Sequence, residues 1–143
     1  MQSRIELSYS VLGDTLPVDH GYALFSATSR LVPEAHGNDA VAILGIGGQV
    51  IRSQRKLRLT DRSCLRIRTP VELAPAFTRV AGSLLDIDQH SISVGVCTIQ
   101  IPPARPNLYC HLATFSGALE LADFQARLKL LLACQGVAAD KVE

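Results

Sequence analysis

The chain begins with a two-residue alternation. Ile5, Leu7, Tyr9 and Val11 are apolar, while Glu6, Ser8 and Ser10 between them are polar, which predicts a half-buried strand over 5–12. Gly13 and Asp14 turn the chain, and the period then changes. Leu24, Phe25, Thr28, Leu31 and Val32 fall at the i, i+1, i+4, i+7 and i+8 spacing of a buried helical stripe. Asp19 is placed to cap this helix, His20 occupies its first position, and Pro33 stops it. Tyr22, Ser26, Ser29 and Arg30 run along its more polar flank. After the loop signal at 36–39, residues 40–46 read as a buried strand, and Gly45, Gly47 and Gly48 loosen the backbone into a hairpin or mobile loop. This glycine run lacks the Lys-Ser/Thr of a phosphate loop, and no helix follows it. Segments 56–60 and 62–68 again alternate, with cations on one side and aliphatics on the other. Thr69 and Pro70 predict a second helix, given an apolar side by Val71, Leu73, Ala74, Phe77, Val80 and Ala81 and ended by Gly82. A short strand over 84–87, a turn at 88–90 and a returning strand over 92–101 follow.

This order predicts an α+β fold. It is the ferredoxin-like (RRM-like) βαββαβ plan, an antiparallel sheet with two helices on one face and the other face open. RNA-binding modules of this plan use the open face. The expected first domain is 1–101, followed by a stiff Pro-rich linker at 102–106. A strand over 107–115 and an amphipathic helix over 119–134 then repeat the opening order, so 107–143 reads as the beginning of a second, incomplete ferredoxin-like domain. Its remaining strands are expected to lie elsewhere or to come from a second chain.

Composition narrows the classes. Of 143 residues, 48% are hydrophobic and 19% charged, which excludes a disordered chain. No apolar run is long enough for a membrane span and no signal peptide is evident, so the expected compartment is the cytoplasm, with no membrane partner. Cys64, Cys97, Cys110 and Cys134 are widely spaced and read as reduced thiols, not as a metal site or disulfide frame. The net charge of +1 hides an uneven distribution. Half of the fourteen basic residues lie in one window as Arg52, Arg55, Lys56, Arg58, Arg62, Arg66 and Arg68, with Asp61 the lone acid there. Arginines in a row on one strand face repel unless an anion lies across them, and a phosphodiester backbone is the natural counterpart. His20, at the positive end of a helix dipole, is expected to be neutral and able to act as a general base.

With these features in view, the sequence resembles the CRISPR-associated repeat-RNA endoribonucleases, Cas endoribonuclease family six, in their myxobacterial-type branch. The matching stretches are Leu-Gly-Asp-Thr-Leu-Pro-Val-Asp-His-Gly-Tyr-Ala-Leu (12–24), Ser-Arg-Leu-Val-Pro (29–33), Leu-Arg-Leu-Thr-Asp-Arg-Ser-Cys-Leu-Arg-Ile-Arg (57–68) and Ala-Thr-Phe-Ser-Gly (113–117). The resemblance implies cleavage of precursor CRISPR RNA within each repeat, without metal or other cofactor. The 2′-hydroxyl attacks the scissile phosphate and leaves a 2′,3′-cyclic phosphate and a 5′-hydroxyl. It also implies retention of the product in an interference complex with other effector subunits, as part of antiviral defence. A non-catalytic RNA-binding subunit of such a complex is the alternative. On this resemblance His20 is the catalytic histidine and His36 its rival. Tyr22 or Ser29 orients the phosphate, and Arg30, Arg52, Arg55, Lys56, Arg58, Arg62, Arg66 and Arg68 hold the RNA.

Overall fold

A computed structural model describes residues 3–102 and 120–134. The chain divides into two compact units, Met1–Ala104 and Arg105–Glu143. In the second, the described element is helix α2, Leu121–Cys134, which has no buried residue within its unit. The expected strand at 107–115 lies outside the described residues. Among the described residues no helix is long and apolar enough to cross a membrane.

The first unit is built on a five-stranded antiparallel sheet. Its strands are β1 (Arg4–Leu12), β3 (Ala42–Leu44), β6 (Cys64–Pro70), β7 (Leu84–Ile87) and β8 (His90–Gln100), in the order β3-β6-β1-β8-β7. β1 lies at the centre, with Leu7, Tyr9 and Val11 buried. Directly opposite residues share a face, so Leu7 with Ile67 and Tyr9 with Leu65 define the covered side. Glu6 with Arg68, Ser8 with Arg66 and Ser10 with Cys64 define the other. A bulge shifts the β1/β8 register between Tyr9 and Val11. Gly95 sits there because a Cβ would run into the Ser10 side chain.

Helix α1 (Gly21–Leu31) and a 3₁₀ segment, Val71–Val80, cover the apolar face. The second expected helix is thus 3₁₀ rather than α. Pro70 belongs to the end of β6 and acts as the N-cap, and Pro75, which has no N–H to donate, sits inside the segment. Tyr9 anchors it, donating its buried hydroxyl to the Phe77 carbonyl at 2.8 Å. Burial, then interaction with Cys97, pushes the Tyr9 phenol well above its ordinary range.

A second, three-stranded sheet was not visible in the hydrophobic pattern. Strands β2 (Thr15–Pro17), β4 (Gln49–Ile51) and β5 (Lys56–Arg58) run antiparallel in the order β2-β5-β4. Leu16 and Leu57 face each other and are buried in the core, fastening the small sheet to the large one. Gly48 lets β4 approach β5, since a Cβ there would collide with the Arg58 carbonyl. The 45–48 run is correspondingly pinned rather than loose: Ile46 is buried and the Gly47 carbonyl accepts from Ser63 Oγ at 2.7 Å.

Tyr9→Phe removes the only change-sensitive feature of that anchor, the hydroxyl, and strands the Phe77 carbonyl. The expected cost is about 1–3 kcal/mol, read as a lower urea midpoint with an unchanged slope. An unchanged midpoint would show that the 71–80 segment is held by packing alone.

Candidate active site

His20 is not the first helical residue but the N-cap of α1, with φ −102° and ψ 0°. Asp19 stands outside the helix, exposed, and α1 has no side-chain cap. His20 is only 5% exposed. Its Nδ1 lies 2.8 Å from the Pro17 carbonyl, and its Nε2 accepts from the Ile46 amide at 2.9 Å. An amide donating to Nε2 requires the lone pair there, so the proton sits on Nδ1 and goes to Pro17. Both nitrogens are occupied inside the protein, and in this arrangement neither meets a 2′-hydroxyl. The ring instead joins the end of β2, the start of α1 and the 45–48 segment.

A different histidine faces outward. The outer flank of α1 and the turn after it form a cleft of about 270 Å³ lined by Tyr22, Phe25, Ser26, Ser29, Arg30 and His36. Helical spacing explains the first five. Leu24, Ala27 and Thr28 turn inward, while Tyr22, Ser26, Ser29 and Arg30 fall on the adjoining flank. Phe25, expected in the buried stripe, is half-buried at the cleft instead, and Ala27 takes the core position. The chain then turns through a 3₁₀ turn, Pro33–Ala35, so that exposed His36 comes back over the helix. Phe25 and His36 have ring centroids 6.1 Å apart at an interplanar angle of 35°, a tilted aromatic contact that orients the imidazole.

Two further features prepare this cleft. The Ser29 Oγ is buried at the base of the cleft and has no hydrogen-bond partner within the protein. Glu34 accepts from both terminal nitrogens of Arg79, at 3.1 and 3.2 Å, which fixes the turn two residues before His36. Its own backbone amide, then Arg79, lowers the Glu34 carboxyl below the usual range. This support is therefore present at neutral pH and is lost as the pH falls through the lowered value.

The expected RNA-binding cations separate into groups. Arg30, in the last turn of α1, joins Tyr22, Ser29 and His36 in the cleft. Arg52 and Arg55 line another cleft, of about 410 Å³, with Pro17, Val18 and Asp19. Lys56 and Arg58 lie on β5, on the side opposite buried Leu57. Arg62 is in a turn rather than in the strand, because β6 begins at Cys64. Arg66 and Arg68 are on the open face of the large sheet, opposite the face that α1 covers. The cations of the 52–68 window are thus spread over separate elements rather than gathered on one strand face. The anion opposite Arg68 is the protein's own: its Nε lies 2.8 Å from the Glu6 carboxylate, which is nearly buried. The open face also departs from a base-stacking platform, because its central positions are Glu6, Ser8, Ser10, Cys64, Arg66, Arg68 and Thr98, none of them aromatic. Tyr109, His111 and Phe115, which the two-residue period puts on one face of the expected 107–115 strand where they could stack bases, lie outside the described residues. Among the described residues no three His, Cys, Asp or Glu side chains gather closely enough to share a metal ion.

The chain is similar to known proteins in sequence and in fold. The family profile described as Cas6 Crispr matches residues 5–142. The CRISPR-associated endonuclease Cas6 of Myxococcus xanthus (strain DK1622) is 30% identical over 135 residues, covering 94% of this chain and 58% of that protein. The chain therefore spans little more than half the length of that relative. A solved structure named CRISPR associated protein Cas6 aligns with a TM-score of 0.52 at 14% identity, over 98% of this chain and 74% of that one, which bears on the fold alone. With the family profile matched along almost all of its length, the chain belongs to the Cas6 family.

Proposed function

We propose that this chain is an endoribonuclease component that cuts precursor CRISPR RNA within the repeat, with His36 rather than His20 as its proton-transfer group. The observation that carries the reading is the single cleft shared by Tyr22, Ser29, Arg30 and His36. His36 takes the proton of the 2′-hydroxyl as that oxygen bonds to phosphorus. The P–O5′ bond breaks, and the leaving oxygen takes its proton from the Tyr22 hydroxyl, giving a 2′,3′-cyclic phosphate and a 5′-hydroxyl. Arg30 offsets charge on the non-bridging oxygens, and Ser29 Oγ donates to one of them. The step needs no metal, and His20 serves as a positioning residue for α1. The fold component of this reading is a ferredoxin-like domain. It is supported by the sheet order β3-β6-β1-β8, in which β6 pairs antiparallel between β3 and β1. After cleavage the product stays bound for assembly with other effector subunits and, where a second domain is completed by another chain, with that chain. A non-cleaving RNA-binding subunit is the outcome to be separated from this.

Incubation with labelled repeat RNA in EDTA provides the test. Cleavage with cyclic-phosphate ends is expected, with a single-turnover rate lowered about 10²–10⁴-fold in His36→Ala. His20→Ala is expected to lower the melting temperature far more than it lowers the rate at a temperature where it is folded. Loss of chemistry in a folded His20→Ala with a fully active His36→Ala would reverse the assignment, and binding without cleavage would select the non-catalytic subunit.

The two open-face arginines should behave differently. Arg68→Ala leaves the nearly buried Glu6 carboxylate unpaired, a cost on the order of 2 kcal/mol in stability. Arg66→Ala is expected to weaken RNA binding and reduce the salt slope by about 0.7. An unchanged slope for Arg66→Ala would remove the open face from the RNA path.

A further inference from the structure

The hairpin formed by β4 and β5 carries a concentration of charge that the cleavage step does not use. Arg52, Arg55, Lys56 and Arg58 lie on it, and no ion pair engages them among the described residues, where the pairs are Arg68 with Glu6 and Arg79 with Glu34. The backbone beneath them is fixed. Leu57 is buried, the Arg55 amide donates to the Arg52 carbonyl at 3.3 Å, and the Arg55 carbonyl accepts from the Val18 amide at 3.1 Å. Arg55 is held at φ 51°, the left-handed region, which turns the hairpin tip. Two arginines are therefore presented from a rigid base into the cleft that ends at Asp19.

That cleft and the His36 cleft are lined by residues on either side of the start of α1. Asp19 lies three residues before Tyr22, and the His36 cleft continues along the helix from Tyr22 to Arg30, about 12 Å at 1.5 Å per residue. Asp19 also disfavours a small free anion, whereas a ribose 2′-hydroxyl can donate to its carboxylate.

We propose that the 52–58 hairpin is a clamp for the RNA flank on one side of the scissile bond, with Arg52 and Arg55 gripping its phosphates as the strand passes over the first turn of α1 into the His36 cleft. This rests on the endoribonuclease reading and adds to it a second contact site, placed on one flank only. Arginine forks suit phosphate oxygens, and Asp19 favours ribose over deoxyribose at the junction.

The test uses the full chain and a repeat RNA made uncleavable by a 2′-deoxy substitution at the scissile nucleotide, with affinity measured across a salt series. The double variant Arg52→Ala/Arg55→Ala is expected to lose about ten- to a hundredfold in affinity and to lower the salt slope by about 1.4. Arg55 already has positive φ, so alanine adds no backbone strain, and an unchanged melting temperature confirms the fold. RNAs trimmed from either side then locate the contact: the loss should vanish when one particular flank is removed and persist when the other is removed. Equal affinity of the double variant, or a loss that ignores which flank is present, overturns the clamp while leaving the cleavage assignment intact. Failure of the unsubstituted chain to bind repeat RNA at all overturns both.

Discussion

The His20 ring holds together the end of β2, the start of α1 and the 45–48 segment. Its Nδ1 reaches the Pro17 carbonyl and its Nε2 takes the Ile46 amide, all with the ring nearly inaccessible to water. A net contribution of about 1 kcal/mol per hydrogen bond understates its role, because each buried partner would otherwise be left unsatisfied. With the start of α1 fixed against β2, the inward stripe of Leu24, Ala27 and Thr28 is committed to the core. Tyr22, Ser29 and Arg30 are thereby committed to the outside, where the chain returns His36 to them. With Ile46 fixed, Gly48 and the hairpin beyond it follow. One imidazole is buried with both nitrogens hydrogen-bonded, while the other stays exposed at the cleft.

The same two-sidedness divides the charge. The large sheet has one face sealed by α1 and the 71–80 segment and one face open, and period-two alternation on β6 sends Arg66 and Arg68 to the open face. Glu6, directly across, cancels Arg68 within the fold. The hairpin cations have no such partner among the described residues, and two of them, Arg52 and Arg55, line a cleft with Pro17, Val18 and Asp19, the residues that lead into α1. Of the two open-face arginines on β6, Arg68 is thus neutralised within the fold, while the hairpin cations are not paired among the described residues.

How far the sequence disclosed this depended on the range of the interactions. The β1 alternation, the α1 stripe and the cationic side of β6 are local patterns, and the structure keeps them. The ion pair joining Arg68 to Glu6 spans sixty-two positions and required the strand register. The small sheet escaped notice because β2 is three residues long and finds β5 some forty residues later, too short for any periodicity to register. His20 looked like a free base because its partner is the amide of Ile46, twenty-six residues away in a glycine-rich run that reads as loose. The meeting of Tyr22 with His36 needed both the helix and the Pro33 turn. The sequence marked only the end of the helix at Pro33, not the direction of the turn that follows. An apolar side alone does not distinguish α from 3₁₀ over 71–80, where Pro75 interrupts the donors.

The most direct measurement is ring-nitrogen NMR of the two histidines, recorded with and without the uncleavable repeat RNA, at a pH where both rings are neutral. The account expects His20 to show the Nδ1–H tautomer with a hydrogen-bonded Nε2, unchanged by RNA, and the His36 nitrogens to shift on binding. A His20 ring that responds to RNA while His36 stays silent would contradict it.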